Sequence, residues 1–104
     1  MKIVKGWVLE PTKGGSCTFN VTIPNKEAAA IGIKKADVVF VTQEGKNIKV
    51  ATTGSGKGRS VMKCGNSLAI TIPKDIWDAL KLEHGDCFIV ESNGEELIYK
   101  KVEG

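Results

Sequence analysis

Between Gly45 and Lys74 the chain carries six basic residues, Lys46, Lys49, Lys57, Arg59, Lys63 and Lys74, and no acid. The chemistry open to such a run is phosphate recognition, in which each cation that meets a backbone phosphate releases counterions and no base sequence is read. A second acid-free window, Pro11 to Lys26, contains Lys13, whereas Asp75 to Glu96 holds seven acids and a single lysine. The modest formal charge of +3 is therefore segregated, as expected for one face that meets a polyanion. The plainer reading of Lys13, Lys57, Arg59 and Lys63 is that they are solvated side chains on loops. Asn66 and Ser67, next to Gly65, carry donors that suit base edges, although Asn66 equally suits a turn.

Other chemistries find little support. His84 stands in a turn without cysteines at ligand spacing, so no metal is expected. The segment Gly54-Ser55-Gly56-Lys57-Gly58 is not a phosphate loop, since position 51 is Ala and no Ser or Thr follows Lys57. The chain has one tyrosine and one arginine, and no acid and base at a recognisable spacing, so no enzyme and no cofactor are expected. Trp7 in an apolar strand and Trp77 beside Ile76 read as packing residues. The three cysteines, Cys17, Cys64 and Cys87, form no CxxC pair and are odd in number, which favours reduced thiols and a cytoplasmic location. No apolar run approaches the roughly 18 residues of a membrane span, and the N-terminus lacks a signal-peptide core. The 41% apolar and 26% charged composition is that of a folded soluble domain.

The elements that position these residues come in two copies. Setting Ile23-Pro24 on Ile72-Pro73 gives an offset of 49 and, without gaps, superposes Thr22 on Thr71, Ala30 on Ala79, Asp37 on Asp86, Val41 on Val90 and Gly45 on Gly94. Phe19, Val21 and Ile23 alternate with polar residues, as do Leu68, Ile70 and Ile72, so each set predicts a strand with one buried face. Pro24 and Pro73 then mark strand-to-helix junctions. Ala28 to Ile31, stopped by Gly32, and Ile76, Ala79 and Leu80 predict two short helices. Val38 to Val41 and Cys87 to Val90, each followed by a turn glycine and a further strand, close the units as hairpins. With leading strands over Lys2 to Leu9 and Arg59 to Lys63, the expectation is a mostly β barrel of about eight strands and two short helices. Repeat one spans 1–53, a linker 54–58 and repeat two 59–104, all in one interleaved domain with a pseudo-two-fold axis.

The second copy, Lys63-Cys64-Gly65-Asn66-Ser67-Leu68-Ala69-Ile70-Thr71-Ile72-Pro73-Lys74 followed by Ala79-Leu80-Lys81-Leu82-Glu83-His84-Gly85-Asp86, resembles the SpoVT/AbrB swapped-hairpin family. It is most similar to the DNA-binding domains of MazE-type and VapB-type antitoxins. The first copy resembles the family less closely, through Val21-Thr22-Ile23-Pro24 and Ala30 to Asp37, with Ala36 at a usual glycine. The resemblance implies a family dimer fused into one chain, whose leading strands and turns enter the DNA major groove. It places Met62, Lys63, Cys64, Asn66, Ser67 and Thr71 at contacting positions. Cys64 stands where the family has tryptophan and Thr71 where it has arginine, which weakens readout of base sequence.

The resulting expectation is a transcriptional regulator that binds duplex DNA through Lys13, Thr18, Asn20, Lys57, Arg59, Lys63, Asn66, Ser67 and Thr71. The unit is free to associate with itself and is expected to engage neither a membrane nor a small-molecule substrate. The alternative is a protein-interaction module of the antitoxin kind that has lost DNA binding. Because the chain ends at Gly104, just after the last expected strand, no extended toxin-binding tail is expected. A further alternative comes from related duplicated barrels, the pyruvoyl decarboxylases that cleave themselves at Gly-Ser, for which Gly15-Ser16 and Gly54-Ser55 are the candidates.

Overall fold

Proline shapes both strand-to-helix junctions. Pro24 and Pro73, with φ near −60° and ψ near 140° (−60°/140° and −56°/143°), end a strand and cap the N-terminus of a seven-residue helix. The computed structural model describes residues 2–10, 17–54 and 57–102. In chain order it contains β1 (Lys2–Leu9), β2 (Thr18–Ile23), α1 (Asn25–Ile31), β3 (Val38–Glu44), β4 (Asn47–Ala51), β5 (Lys57–Ser60), β6 (Met62–Cys64), β7 (Ser67–Ile72), α2 (Lys74–Leu80), β8 (Cys87–Ser92) and β9 (Glu96–Lys101). The strands form one antiparallel sheet in the order β5-β3-β4-β9-β8-β1-β2-β7-β6.

The two ends of that order are halves of a single strand. β5 and β6 are separated only by Val61, whose N–H donates to the Asp37 carbonyl at 2.8 Å and whose carbonyl accepts from Ala36 N–H at 2.9 Å. The sheet therefore nearly closes into a barrel, and this break explains nine strands where about eight are expected from the sequence. β5 begins at Lys57, inside the stretch expected as linker.

Both leading strands bridge two partners. β1 pairs with β8 through Lys2 to Lys5 and with β2 through Gly6 to Leu9. The β5–β6 strand pairs with β3 through Lys57 to Ser60 and with β7 through Met62 to Cys64. Hydrogen bonds recur in step: Gly6 N–H donates to Asp86 O at 2.8 Å, and Gly6 O accepts from Gly85 N–H at 3.0 Å, matching the bonds at Val61. Asp37 Oδ2 accepts from Lys34 N–H at 2.8 Å, and Asp86 Oδ2 from Glu83 N–H at 2.7 Å, each pair 49 positions from the other. Val21 lies opposite Ile70, and Lys49 opposite Ile98, so residues 49 apart face each other at the centres of β2–β7 and β4–β9.

The barrel interior is filled by alternate strand residues, among them Phe19, Val21, Ile23, Val39, Val41, Ile48, Val50, Ile70, Phe88, Val90, Leu97 and Tyr99. Phe88 meets both Phe19 and Tyr99 edge-on, at centroid separations of 6.2 and 6.3 Å, an arrangement favoured by ring quadrupoles. Gly6 is dictated by this packing, because any Cβ there would run into the Phe19 ring. α1 packs against β7, β8 and β9, whereas α2 packs against β2. Trp77 closes one end of the core, with its ring 5.9 Å from Phe19 and its Nε1–H donating to Leu82 O at 2.9 Å. That geometry agrees with its reading as a packing residue.

Candidate nucleic-acid interface

Strands β1, β2, β7 and β6 make a continuous face whose inward residues belong to the core. Opposite them, on the outer side, stand Thr18, Asn20 and Thr22 of β2 and Ser67, Ala69 and Thr71 of β7. Cross-strand register arranges two rows: Trp7, Asn20 and Thr71, and, in the reverse direction, Met62, Ala69 and Thr22. These positions alternate with the inward apolar ones; at the middle, Thr22 and Thr71 are half-buried, and Asn20 and Ala69 are buried.

Three of the expected site residues form one hydrogen-bonded chain there. Thr71 Oγ1 donates to Asn20 Oδ1 at 2.8 Å, and Asn20 Nδ2 donates to Thr18 Oγ1 at 3.2 Å. Asn20 is 1% exposed, which corrects its expected role as a direct contact: its polar atoms are spent on the two threonines. Thr18 and Thr71 remain half-buried at the surface of the face.

The β6–β7 hairpin carries Lys63, Asn66 and Ser67, with Ser67 on the outer side and Lys63 opposite Leu68, on the side of the core-packed apolar residues. Gly65 takes φ 62°, the left-handed conformation that a two-residue hairpin turn requires and that glycine adopts without strain. The turn is also tied from outside, since Asn25 Nδ2, at the start of α1, donates to Asn66 O at 2.8 Å. Lys63 and Asn66 are exposed, and Ser67 is half-buried. Arg59 lies further along the same leading strand, on β5, half-buried, with Nη1 donating to Gly58 O at 3.0 Å. Lys57 begins that strand. Lys13 lies outside the described residues.

The basic residues differ in what they are free to do. Lys49 is held by Glu96 at 2.8 Å and Glu44 at 3.6 Å, and Lys74 by Asp78 at 3.4 Å while lying 4.3 Å above the Trp77 ring. Arg59 and Lys63 make no ion pair with any described residue. On β9, Lys100 pairs with Glu91 at 3.2 Å and Lys101 with Asp86 at 3.4 Å.

His84 is occupied by structure, its Nδ1 accepting from Val8 N–H at 3.0 Å, and the described residues contain no cluster able to hold a metal. Cys17 and Cys87 are free thiols. No described helix is long and apolar enough to cross a membrane.

Two residues of this region carry no signal in their types alone. Asn25 is recognisable only as a polar residue after Pro24. Glu27 is buried beneath α1, near Tyr99, whose hydroxyl donates to Thr22 O at 2.8 Å. Burial pushes the Tyr99 phenol far above its ordinary range, and the Glu27 charge adds in the same direction. The sequence did hold a clue to Glu27, because the residue 49 positions later is the apolar Ile76.

Residues 61–104 match the family model described as antidote-toxin recognition MazE, bacterial antitoxin. The match takes in β6, β7, α2, β8 and β9 and supports the family resemblance for the second half of the chain. No curated protein and no solved structure gives a significant match.

Proposed function

We propose that the protein is a DNA-binding regulator of the AbrB/MazE type in which the two halves of a dimer-like barrel are joined in one chain. The observation that carries this reading is the outer face of β1, β2, β7 and β6. It carries the hydrogen-bonded chain of Thr18, Asn20 and Thr71, ends at a hairpin whose Lys63 and Asn66 are exposed, and adjoins a leading strand that bears Lys57 and Arg59 and no acid. Such a face suits a phosphate backbone, with Asn66, Ser67 and Thr71 positioned for base edges. The fused-dimer part rests on the pairing pattern, in which each leading strand bridges its own hairpin and that of the other half. A pseudo-two-fold within one chain makes the folded monomer the smallest unit.

Titrating a random duplex with the protein at increasing salt tests the reading. Binding should weaken steeply, with log K falling linearly against log salt at a slope of about −0.9 per phosphate contacted. Absence of duplex binding even at low salt would overturn it. A protein partner would then lead, and the exposed Ile3 and Leu9 of β1, 62% and 57% accessible, would be the first surface to probe.

A further inference from the structure

Beneath α1 a carboxylate is buried with an oxygen that no group among the described residues engages. Glu27 is 9% exposed, and its Oε2 has no hydrogen-bond partner. An unpartnered carboxylate oxygen away from water is costly, so its persistence in a packed barrel asks for a counterpart. Two candidate groups inside the chain do not engage it. The Tyr99 hydroxyl is committed to Thr22 O, and Lys26, although adjacent in sequence, is exposed and forms no ion pair with Glu27.

Glu27 lines a cavity of about 420 Å³ with Val4, Thr22, Pro24, Asn25, Lys26 and Ser67. Comparison with the other half of the barrel shows what is unusual about it. Ile76, 49 positions after Glu27, is likewise buried, and Val50, 49 positions before Tyr99, is buried too. One half thus has an apolar pair where the other has an acid and a phenol. The leading strands differ in the opposite sense. Val4 lies opposite Phe88, and Arg59 lies opposite Val39, the residue 49 positions before Phe88. The half with the acid therefore has valine at the position where the other half has a guanidinium.

We propose that the Glu27 cavity is a binding site for a ligand bearing one guanidinium or primary ammonium group on a short apolar stem. The cation pairs with the Glu27 carboxylate in a charge-assisted hydrogen bond, and the stem lies against Val4 and Pro24. Thr22, Asn25 and Ser67 provide the polar lip. A guanidinium suits the site best, because its planar fork satisfies a carboxylate with the least loss of freedom. The group arrives either on a free small molecule or on an arginine side chain of a protein.

Butylguanidinium, butylammonium and the neutral butylurea, titrated separately into isotopically labelled protein, test the site by amide chemical shifts. A short blocked peptide with a central arginine forms a fourth arm. Both cations should move the amides of Val4, Glu27 and Ser67, together with Asn66, which is tied to the cavity through Asn25. Saturation is expected at about millimolar concentration, and butylurea should leave these signals in place. Glu27→Gln should weaken butylguanidinium at least about tenfold. Glu27→Ile should abolish binding while keeping the fold, since isoleucine is what the other half has there. Val4→Arg should supply the cation from within, raising Tm and excluding the probe. Saturation by the peptide and not by the free cations would identify a protein side chain as the source, and the reverse a small molecule. The proposal fails if no arm moves these amides. It also fails if butylurea matches butylguanidinium, or if either Glu27 variant or Val4→Arg binds the probe like the parent.

Discussion

The hydroxyl of Thr71 donates to the side-chain oxygen of Asn20 at 2.8 Å, joining the two central strands of the barrel on the side away from the core. Asn20 passes the interaction on to Thr18, and its own side chain is almost wholly buried. The pair is therefore a strut between β2 and β7, and Asn20 acts on any ligand of this face only by holding its neighbours. Asn20→Ala should destabilise the fold by about 1–3 kcal/mol, the range for leaving buried hydrogen-bonding groups without partners. Thr71→Val, at a half-buried position, should cost about 1 kcal/mol. Urea unfolding with an unchanged m-value measures both, and a neutral Asn20→Ala would refute the strut.

Backbone strain is distributed unevenly between the halves. Gly32 and Lys81, 49 positions apart, both end helices in the left-handed region, at φ 76° and 53°. Ala36 and Gly85, equally spaced, also share it, at φ 71° and 93°. A residue with a Cβ pays about 1–2 kcal/mol for that conformation, whereas glycine costs about 0.4–1 kcal/mol in unfolded-state entropy. Ala36→Gly and Lys81→Gly should each stabilise the protein by about 0.5–1 kcal/mol. Gly32→Ala and Gly85→Ala should do the reverse, and thermal melts of the four variants check the sign.

Much of this architecture was legible in the residues. Alternation in Phe19 to Ile23 and Leu68 to Ile72 marked the central strands, and the prolines after them marked the helix starts, because both signals are local. Residues that the 49-residue offset superposes face each other in two ladders, Val21 with Ile70 and Lys49 with Ile98. Local chemistry could not reveal that the second leading strand breaks at Val61, since the break comes from hydrogen bonds to Ala36 and Asp37 in the other half. Nor could it reveal that Asn20 faces Thr71, a matter of register between strands 51 residues apart. The placement of Lys63, Asn66 and Ser67 on one hairpin was readable from Gly65. The support that Asn25 gives to that hairpin was not, because a contact across 41 residues leaves no pattern along the chain.

Tyr99 gives the fold an alkaline limit. Its folded phenol is held far above the ordinary value near 10, so folded and unfolded chains bind the same proton below pH 10 and differ above it. The associated stability is fully present below about pH 10 and is lost as pH rises beyond it, at up to about 1.4 kcal/mol per pH unit. Because the chain has a single tyrosine, tyrosinate absorbance should stay absent from the folded protein above pH 10 and appear together with unfolding. Tyr99→Phe should lose about 1 kcal/mol at neutral pH, through the bond to Thr22, and show a flatter decline above pH 10. A free phenol titration near pH 10 in folded protein would show the burial to be wrong.

The basic leading strand makes the sharpest demand on the DNA-binding reading. If Lys57, Arg59 and Lys63 contact phosphates, neutralising one of them should flatten the slope of log K against log salt by about 0.9 and weaken all duplex sequences alike. Lys100 and Lys101 are the matched control, because each is already paired with an acid, Glu91 and Asp86. Their replacement should leave the slope unchanged. Asn66→Ala and Ser67→Ala should instead reduce preference for a selected site more than affinity for random duplex, since base-edge donors discriminate and phosphate contacts do not. Equal losses on every sequence would remove the hairpin from base recognition while leaving the phosphate face intact. If the Lys100 and Lys101 variants changed the slope and the leading-strand variants did not, the binding face would lie on β9 and not on the leading strand.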